Sequence, residues 1–256
     1  MSAEPLLSIR DLCVDYVTPA GPVRAVDRVS LDLGHGEVLG IAGESGCGKS
    51  TLAQALLRIL PPPAVIAGGE VRFEGRDLLR LSESELRAVR WRRIAMVFQS
   101  AMDALNPVLT VGEQLVDTLR SHRASPAREA RERAVALLEL VGIPPDRLRS
   151  FPHQLSGGMR QRVGIALALA LDPALVILDE PTTALDVIVE RDILHRILEL
   201  RRRLGFSVLF ITHDLARMLE VSDRVAVFYA ARLVEVAPAS VLRSDARHPY
   251  TRGLLR

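Results

Sequence analysis

The run Gly43-Glu44-Ser45-Gly46-Cys47-Gly48-Lys49-Ser50 sets three glycines, a lysine and a hydroxyl at the spacing of a phosphate-binding loop. Glycines at these places let the backbone curl until successive N–H groups face one anion. A helix starting at Lys49 would aim the positive end of its dipole at the same point. Lys49 is then expected to reach the β and γ phosphates of a nucleotide and Ser50 to bind Mg²⁺, with Thr51 closing the contacting stretch. The alternative is a glycine-rich turn before a helix. The context argues for the loop, because the run lies between a predicted strand and a predicted helix.

Two further groups of residues carry chemistry. Leu175-Val176-Ile177-Leu178-Asp179-Glu180 is an apolar strand ending in two carboxylates, where open α/β sheets place ligand groups. Asp179 would hold Mg²⁺ through water, and Glu180 would act as general base on the attacking water. Alone such acids are more often turn formers, and the loop at Gly43 is what gives them weight. Leu155-Ser156-Gly157-Gly158-Met159-Arg160-Gln161 precedes an apolar helix, with Ser156 at the N-cap and two glycines that admit a phosphate to the first-turn amides. The chain therefore has two phosphate cradles where one nucleotide needs one.

These residues need elements to hold them. Leu6 to Tyr16 and Val23 to Leu33 flank a Thr18-Pro19-Ala20-Gly21-Pro22 turn and predict an antiparallel hairpin. Glu37 to Ala42 predicts a buried strand, and Lys49 to Leu60 a helix stopped by Pro61-Pro62-Pro63. Val111 to Leu148 is helical in pattern, broken at Gly142 and Pro144-Pro145. Strands return at Leu175 to Leu178, Ser207 to Thr212 and Arg224 to Tyr229 with helices between. The expected fold class is α/β, a mostly parallel core sheet with an N-terminal antiparallel part and a helical subdomain over residues 100–160.

Composition narrows the class. The 256 residues suffice for one domain with a subdomain, and 48% hydrophobic with 25% charged residues is ordinary for a globular chain. With 33 Lys and Arg against 31 Asp and Glu, the formal charge of +2 creates no sequence-wide pull toward nucleic acid or anionic lipid. Two cysteines, Cys13 and Cys47, predict a reducing compartment and no disulfide framework. Met1 to Arg10 has no signal-peptide pattern, and Ile165 to Leu178 is interrupted by Asp172-Pro173, so membrane association is expected through a partner.

Taken together these motifs resemble the nucleotide-binding domain of ABC transporters over nearly the whole chain. The resemblance makes Ser156-Gly157-Gly158 the signature that contacts ATP held by the opposite subunit. It makes Tyr16 the aromatic that stacks on adenine and Gln99 the glutamine sensing the γ-phosphate and its Mg²⁺. Asp186 becomes the aspartate at the subunit junction and His213 the γ-phosphate switch. Taken singly, Tyr16 reads as a strand aromatic and His213 as a cap or core residue. The resemblance implies ATP and Mg²⁺, a second ATPase subunit, transmembrane permease subunits, and indirectly an extracytoplasmic substrate-binding protein. It places the chain at the cytoplasmic face of the inner membrane as a peripheral subunit with no nucleic acid partner. The rival is a soluble ABC ATPase acting on DNA or ribosomes, expected to show a coiled-coil insertion, a zinc motif or two cassettes.

Leu105-Asn106-Pro107, Phe151-Pro152-His153, Thr182-Thr183-Ala184-Leu185-Asp186 and His248-Pro249-Tyr250 look more narrowly like oligopeptide and dipeptide importer ATPases, of the first-subunit kind. Ser100-Ala101 and Ala230-Ala231 depart from that pattern, the latter where a turn usually carries glycine, and neither departure is expected to touch the catalytic set. Residues 238–256 would begin a C-terminal extension, here ending at Arg256 before any cysteine cluster. Met102 to Val111 is expected to dock the permease through exposed apolar residues. Cys47, inside the loop and near Lys49, is expected either to be a low-pKa thiol whose alkylation ATP blocks or to be a small side chain pointing away from the phosphates with an ordinary thiol. The basic runs Arg90 to Arg93 and Arg201 to Arg203 are expected to be helix ends and not a nucleic-acid surface.

Overall fold

Pro19 and Ala20 turn the chain between β1 (Leu7–Thr18) and β2 (Gly21–Leu33), which pair antiparallel as the alternating residues predict. The computed structural model describes residues 4–98, 105–123, 126–181 and 186–255. β3 (Val38–Ala42) is buried at every position, as a central strand of an α/β sheet must be. After the glycine-rich loop comes α1 (Lys49–Leu56), whose Leu52 and Leu56 have no exposed surface. Truncating either to Ala would leave a cavity costing about 2–5 kcal/mol. α1 ends four residues before the expected Leu60. Arg58 takes a left-handed conformation at φ 51°, its N–H reaches Ala55 O, and the Ile59 N–H reaches Gln54 O. That pair of bonds winds up a helix end, with arginine where glycine usually stands.

β4 (Ala64–Phe73) is not anticipated by the sequence reading, because Gly68-Gly69 interrupts its alternation and half of it is exposed. It forms by pairing along β1, and with β5 (Arg76–Asp77) completes an antiparallel sheet in the order β2-β1-β4-β5. α2 (Glu83–Val89) follows.

The middle of the chain runs β6 (Ile94–Val97), α3 (Val111–Arg123), α4 (Ala127–Leu140), two short 3₁₀ turns at Pro145–Arg149 and Pro152–Gln154, α5 (Gly157–Leu169), β7 (Leu175–Asp179) and α6 (Val187–Leu204). Gly142 at φ 73° and Pro144-Pro145 divide the helical stretch where the breakers predict. β6 and β7 are parallel and wholly buried. Both basic runs are helix ends, as expected. Arg90–Arg93 follows α2, with the Trp91 indole N–H donating to Leu167 O at 3.2 Å. Arg201–Arg203 fills the last turn of α6, closed by Gly205 N–H on Arg201 O at 2.8 Å.

The chain ends with β8 (Ser207–Thr212), α7 (Leu215–Val221), β9 (Arg224–Tyr229), β10 (Arg232–Pro238), α8 (Ala239–Asp245) and α9 (Pro249–Leu254). β3 pairs in parallel with β8 on one side and β9 on the other, and β10 adds an antiparallel edge to β9. This is the expected mostly parallel arrangement. Residues 1–87 with 207–256 form one compact unit and residues 88–206 a second. Among the described residues no helix is long and apolar enough to cross a membrane.

Candidate functional site

The loop between β3 and α1 has the conformation its glycines predict. Gly48 lies at φ 113°, and a Cβ there would stand 2.1 Å from Ala25 O, so no other residue fits without moving that strand. Lys49, the first residue of α1, is only 4% exposed. Its ammonium donates to Gly43 O and Glu44 O at 2.7 Å each and approaches Cys47 Sγ at 3.7 Å. Among the described residues no carboxylate pairs with it. A buried cation held only by neutral acceptors, at a helix N-terminus, is a site built for an anion. Ser50 and Thr51 follow in the first turn of α1, and the Thr51 hydroxyl lies 3.3 Å from that of half-buried Tyr16 on β1. Tyr16, predicted as an adenine contact, thus stands beside the loop's helix. His213 is exposed just after β8, followed by Asp214, which caps α7 by accepting from Arg217 N–H at 3.1 Å.

For Cys47 the electrostatics favour the ordinary thiol over the low-pKa one. Burial pushes its thiol above the ordinary value, and although nearby Lys49 and backbone hydrogen bonds favour the thiolate, desolvation outweighs them. The glycine departure at Ala230-Ala231 also proves to touch the loop. Both alanines adopt left-handed conformations, φ 46° and 68°, at a cost of about 1–2 kcal/mol each for a residue with a Cβ. The turn they form sets Ala231 N–H on Cys47 O at 3.1 Å, while Ala231 O accepts from Asp27 N–H at 2.8 Å. Tyr250 of α9 reaches the same loop, its hydroxyl accepting from Glu44 N–H at 3.1 Å. Nothing in local spacing signals either contact, since each joins the loop to residues far along the chain.

In the second unit, Asp179 is the buried last residue of β7. Glu180 follows half-buried at φ 46°, a conformation that costs a non-glycine residue about 1–3 kcal/mol and that concentrates at functional positions. Ser156 caps α5 as predicted, its hydroxyl accepting from Met159 N–H at 3.3 Å. A Cβ on Gly158 would lie 2.6 Å from Val189 on α6, so the glycine also permits close helix packing. Ser156, Gly157 and Gly158 line an open hollow with Arg147, Arg162 and Asp186. The structure thus brings together the Ser156 segment and Asp186, which the sequence reading assigned separately. Arg147 was missed, and its only signal is a positive charge close in sequence to a predicted anion site. Gln99 lies outside the described residues, as do Met102 and Ala104 of the expected docking segment. Of that segment's apolar residues, Leu105 is a correction: it is 5% exposed and belongs to the core, whereas Val108 is 75% exposed.

The donor set fits a magnesium nucleotide. Among the described residues no three His, Cys, Asp or Glu side chains gather as a resident metal cage. Mg²⁺ with a nucleotide instead takes one or two protein oxygens plus phosphate and water, and the Ser50 hydroxyl in the first turn of α1 is an oxygen donor of that kind.

Comparison with known proteins agrees with this inventory. A family model described as ABC transporter matches residues 26–183. The chain is 49% identical over 253 residues to the oligopeptide transport ATP-binding protein OppD of Bacillus subtilis (strain 168), covering 98% of this chain and 71% of that protein. It is 47% identical over 255 residues to the dipeptide transport ATP-binding protein DppD of the same organism, covering 98% and 76%. Among solved structures it resembles the dimeric, post-hydrolysis ATP-binding cassette MJ0796 bound to ADP and Pi, with TM-score 0.81 and 28% identity over 91% of this chain and 98% of that one. Since the loop at Gly43, the capped Ser156 helix and the Asp179–Glu180 strand end all fall inside the matched residues, this chain belongs to the ABC transporter family.

Proposed function

We propose that this chain is the ATP-hydrolysing subunit of an importer that carries peptides across a membrane. The observation that carries the reading is the presence, in one chain, of a buried Lys49 with no carboxylate partner among the described residues, in a phosphate loop, and of a second anion-ready helix N-terminus at Ser156. One nucleotide needs one cradle, so the second is read as meeting ATP held by another ATPase subunit, in a head-to-tail dimer. The peptide cargo rests on the names of the OppD and DppD relatives.

In this reading Tyr16 stacks on adenine, the amides from Gly43 to Ser50 and the Lys49 ammonium hold the phosphates, and Thr51 completes the stretch. Ser50, Asp179 and Gln99 would hold Mg²⁺, which neutralises developing charge on the phosphates when bound. Glu180 takes a proton from the attacking water, and His213 orients at the γ-phosphate. Ser156, Gly157, Gly158 and Asp186 act on the nucleotide of the opposite subunit. ATP then bridges two subunits and its loss on hydrolysis releases them, which moves permease subunits at the cytoplasmic face of the membrane. The helices that the structure describes within residues 105–160 are taken as the subdomain that meets the permease, and residues from 238 as the start of the C-terminal extension.

The test is to purify the chain with its permease, reconstitute both in vesicles, and measure ATP turnover with peptide-loaded binding protein outside. Turnover stimulated several-fold by peptide supports the reading. Turnover indifferent to peptide but raised by DNA or ribosomes would replace it.

A further inference from the structure

The loop that holds Lys49 is fastened from the far end of the chain. Glu44 is the residue through which the fastening acts. Its carbonyl oxygen accepts from the Lys49 ammonium at 2.7 Å and from Cys47 N–H at 3.4 Å, while its own N–H donates to the Tyr250 hydroxyl at 3.1 Å. Tyr250 is itself held in place. Its ring packs on Tyr229 with centroids 4.3 Å apart, and its N–H donates to His248 Nδ1, the cap of α9, at 3.2 Å. The N–H groups of Arg247 and His248 in turn donate to the Glu235 carboxylate at 2.7 and 3.0 Å, which pins the start of α9 to β10. Tyr229 is the last residue of β9 and leads directly into the Ala230-Ala231 turn, whose Ala231 N–H donates to Cys47 O. Two neighbouring pieces of the C-terminal region, stacked on each other through Tyr229 and Tyr250, therefore grip the loop at Glu44 and at Cys47.

We propose that Tyr250 is a positioning residue for nucleotide binding, acting through the Glu44 backbone to set the loop and the Lys49 ammonium. The proposal rests on the reading of this loop as the ATP site. Freeing the Glu44 N–H leaves the upstream arm of the loop to find another partner, usually water, and lets the peptide that orients Lys49 rotate. Burial keeps the Tyr250 phenol above its ordinary value, so at neutral pH it faces Glu44 N–H as an intact hydroxyl. Because coupling of two sites is reciprocal, nucleotide bound in the loop must also steady α9.

The experiment compares wild type with Tyr250→Phe, which keeps the ring against Tyr229 and deletes only the hydroxyl. Calorimetric titration of the purified chain with Mg-ATP reads affinity, thermal unfolding without nucleotide reads stability, and hydrogen exchange of residues 249–254 reads the reciprocal effect. The loss of one hydrogen bond predicts affinity lower by about three- to ten-fold with at most a small fall in the nucleotide-free unfolding midpoint. Mg-ATP should slow exchange in residues 249–254 of the wild type and not of the variant. Equal affinity in the two proteins overturns the proposal, and so does an affinity loss that comes with a matching fall in the nucleotide-free midpoint, which assigns Tyr250 a merely structural role. Absence of binding by the wild type itself removes the ATP reading, and this proposal with it.

Discussion

The hydroxyls of Tyr16 and Thr51 lie 3.3 Å apart although 35 residues separate them, so a strand aromatic is fixed against the helix that opens from the phosphate loop. The contact orients the Tyr16 ring beside the place where a nucleotide's phosphates would sit. If the ring stacks on the base, Tyr16→Ala should weaken ATP binding by about 1–3 kcal/mol, the usual worth of a base on an aromatic face. Tyr16→Phe should retain most of the affinity because it keeps the π face. A titration in which Ala and Phe behave alike would remove stacking as the role of Tyr16.

Glu180→Gln should keep ATP binding and lower turnover by at least about 100-fold, since the amide preserves shape and takes no proton. The ATP-bound dimer should then persist. Size-exclusion chromatography with Mg-ATP reads the dimer, and phosphate release by the assembled transporter reads the chemistry. Turnover within a few-fold of wild type excludes Glu180 as the base.

Cys47 is now expected to be a slow thiol at neutral pH. Its folded pKa lies above the ordinary value, so the reactive thiolate is scarcer than in a free cysteine and grows as pH rises through the alkaline range. Alkylation followed by mass spectrometry should give a rate below that of a small-molecule thiol at pH 7, increasing up to and beyond pH 9. A rate at pH 7 above the small-molecule thiol would return Cys47 to the reactive class.

Leu105 and Val108 separate folding from docking. Leu105→Asp sets a charge at a position that is 5% exposed and should destabilise the fold by several kcal/mol, on the order of the cost of burying an unpaired polar group. Val108→Asp, at 75% exposed, should leave the unfolding midpoint unchanged and reduce co-purification with the permease if this segment docks there. Undiminished co-purification of a folded Val108→Asp protein would move the docking surface elsewhere.

The chemistry readable from sequence is the chemistry made by local backbone. A phosphate loop needs glycines and a lysine at fixed spacing ahead of a helix. Ser156 caps α5 through a bond to the amide three residues on, and Asp179 ends an unbroken apolar strand. In each case the partner lies within a few residues, so spacing alone specifies it. β4 escaped because its interior glycines erase the period-two signal, and its ladder is supplied by β1 along most of its length and by β5 at its end. Long-range packing decided the rest. Tyr250 and Glu44 stand 206 residues apart, and their contact exists because α9 is pinned to β10 and stacked on the end of β9. The sequence places a lysine beside Cys47 and argues for a thiolate, yet the balance between that charge and desolvation depends on how deeply the fold buries the sulfur, a quantity that no local pattern contains.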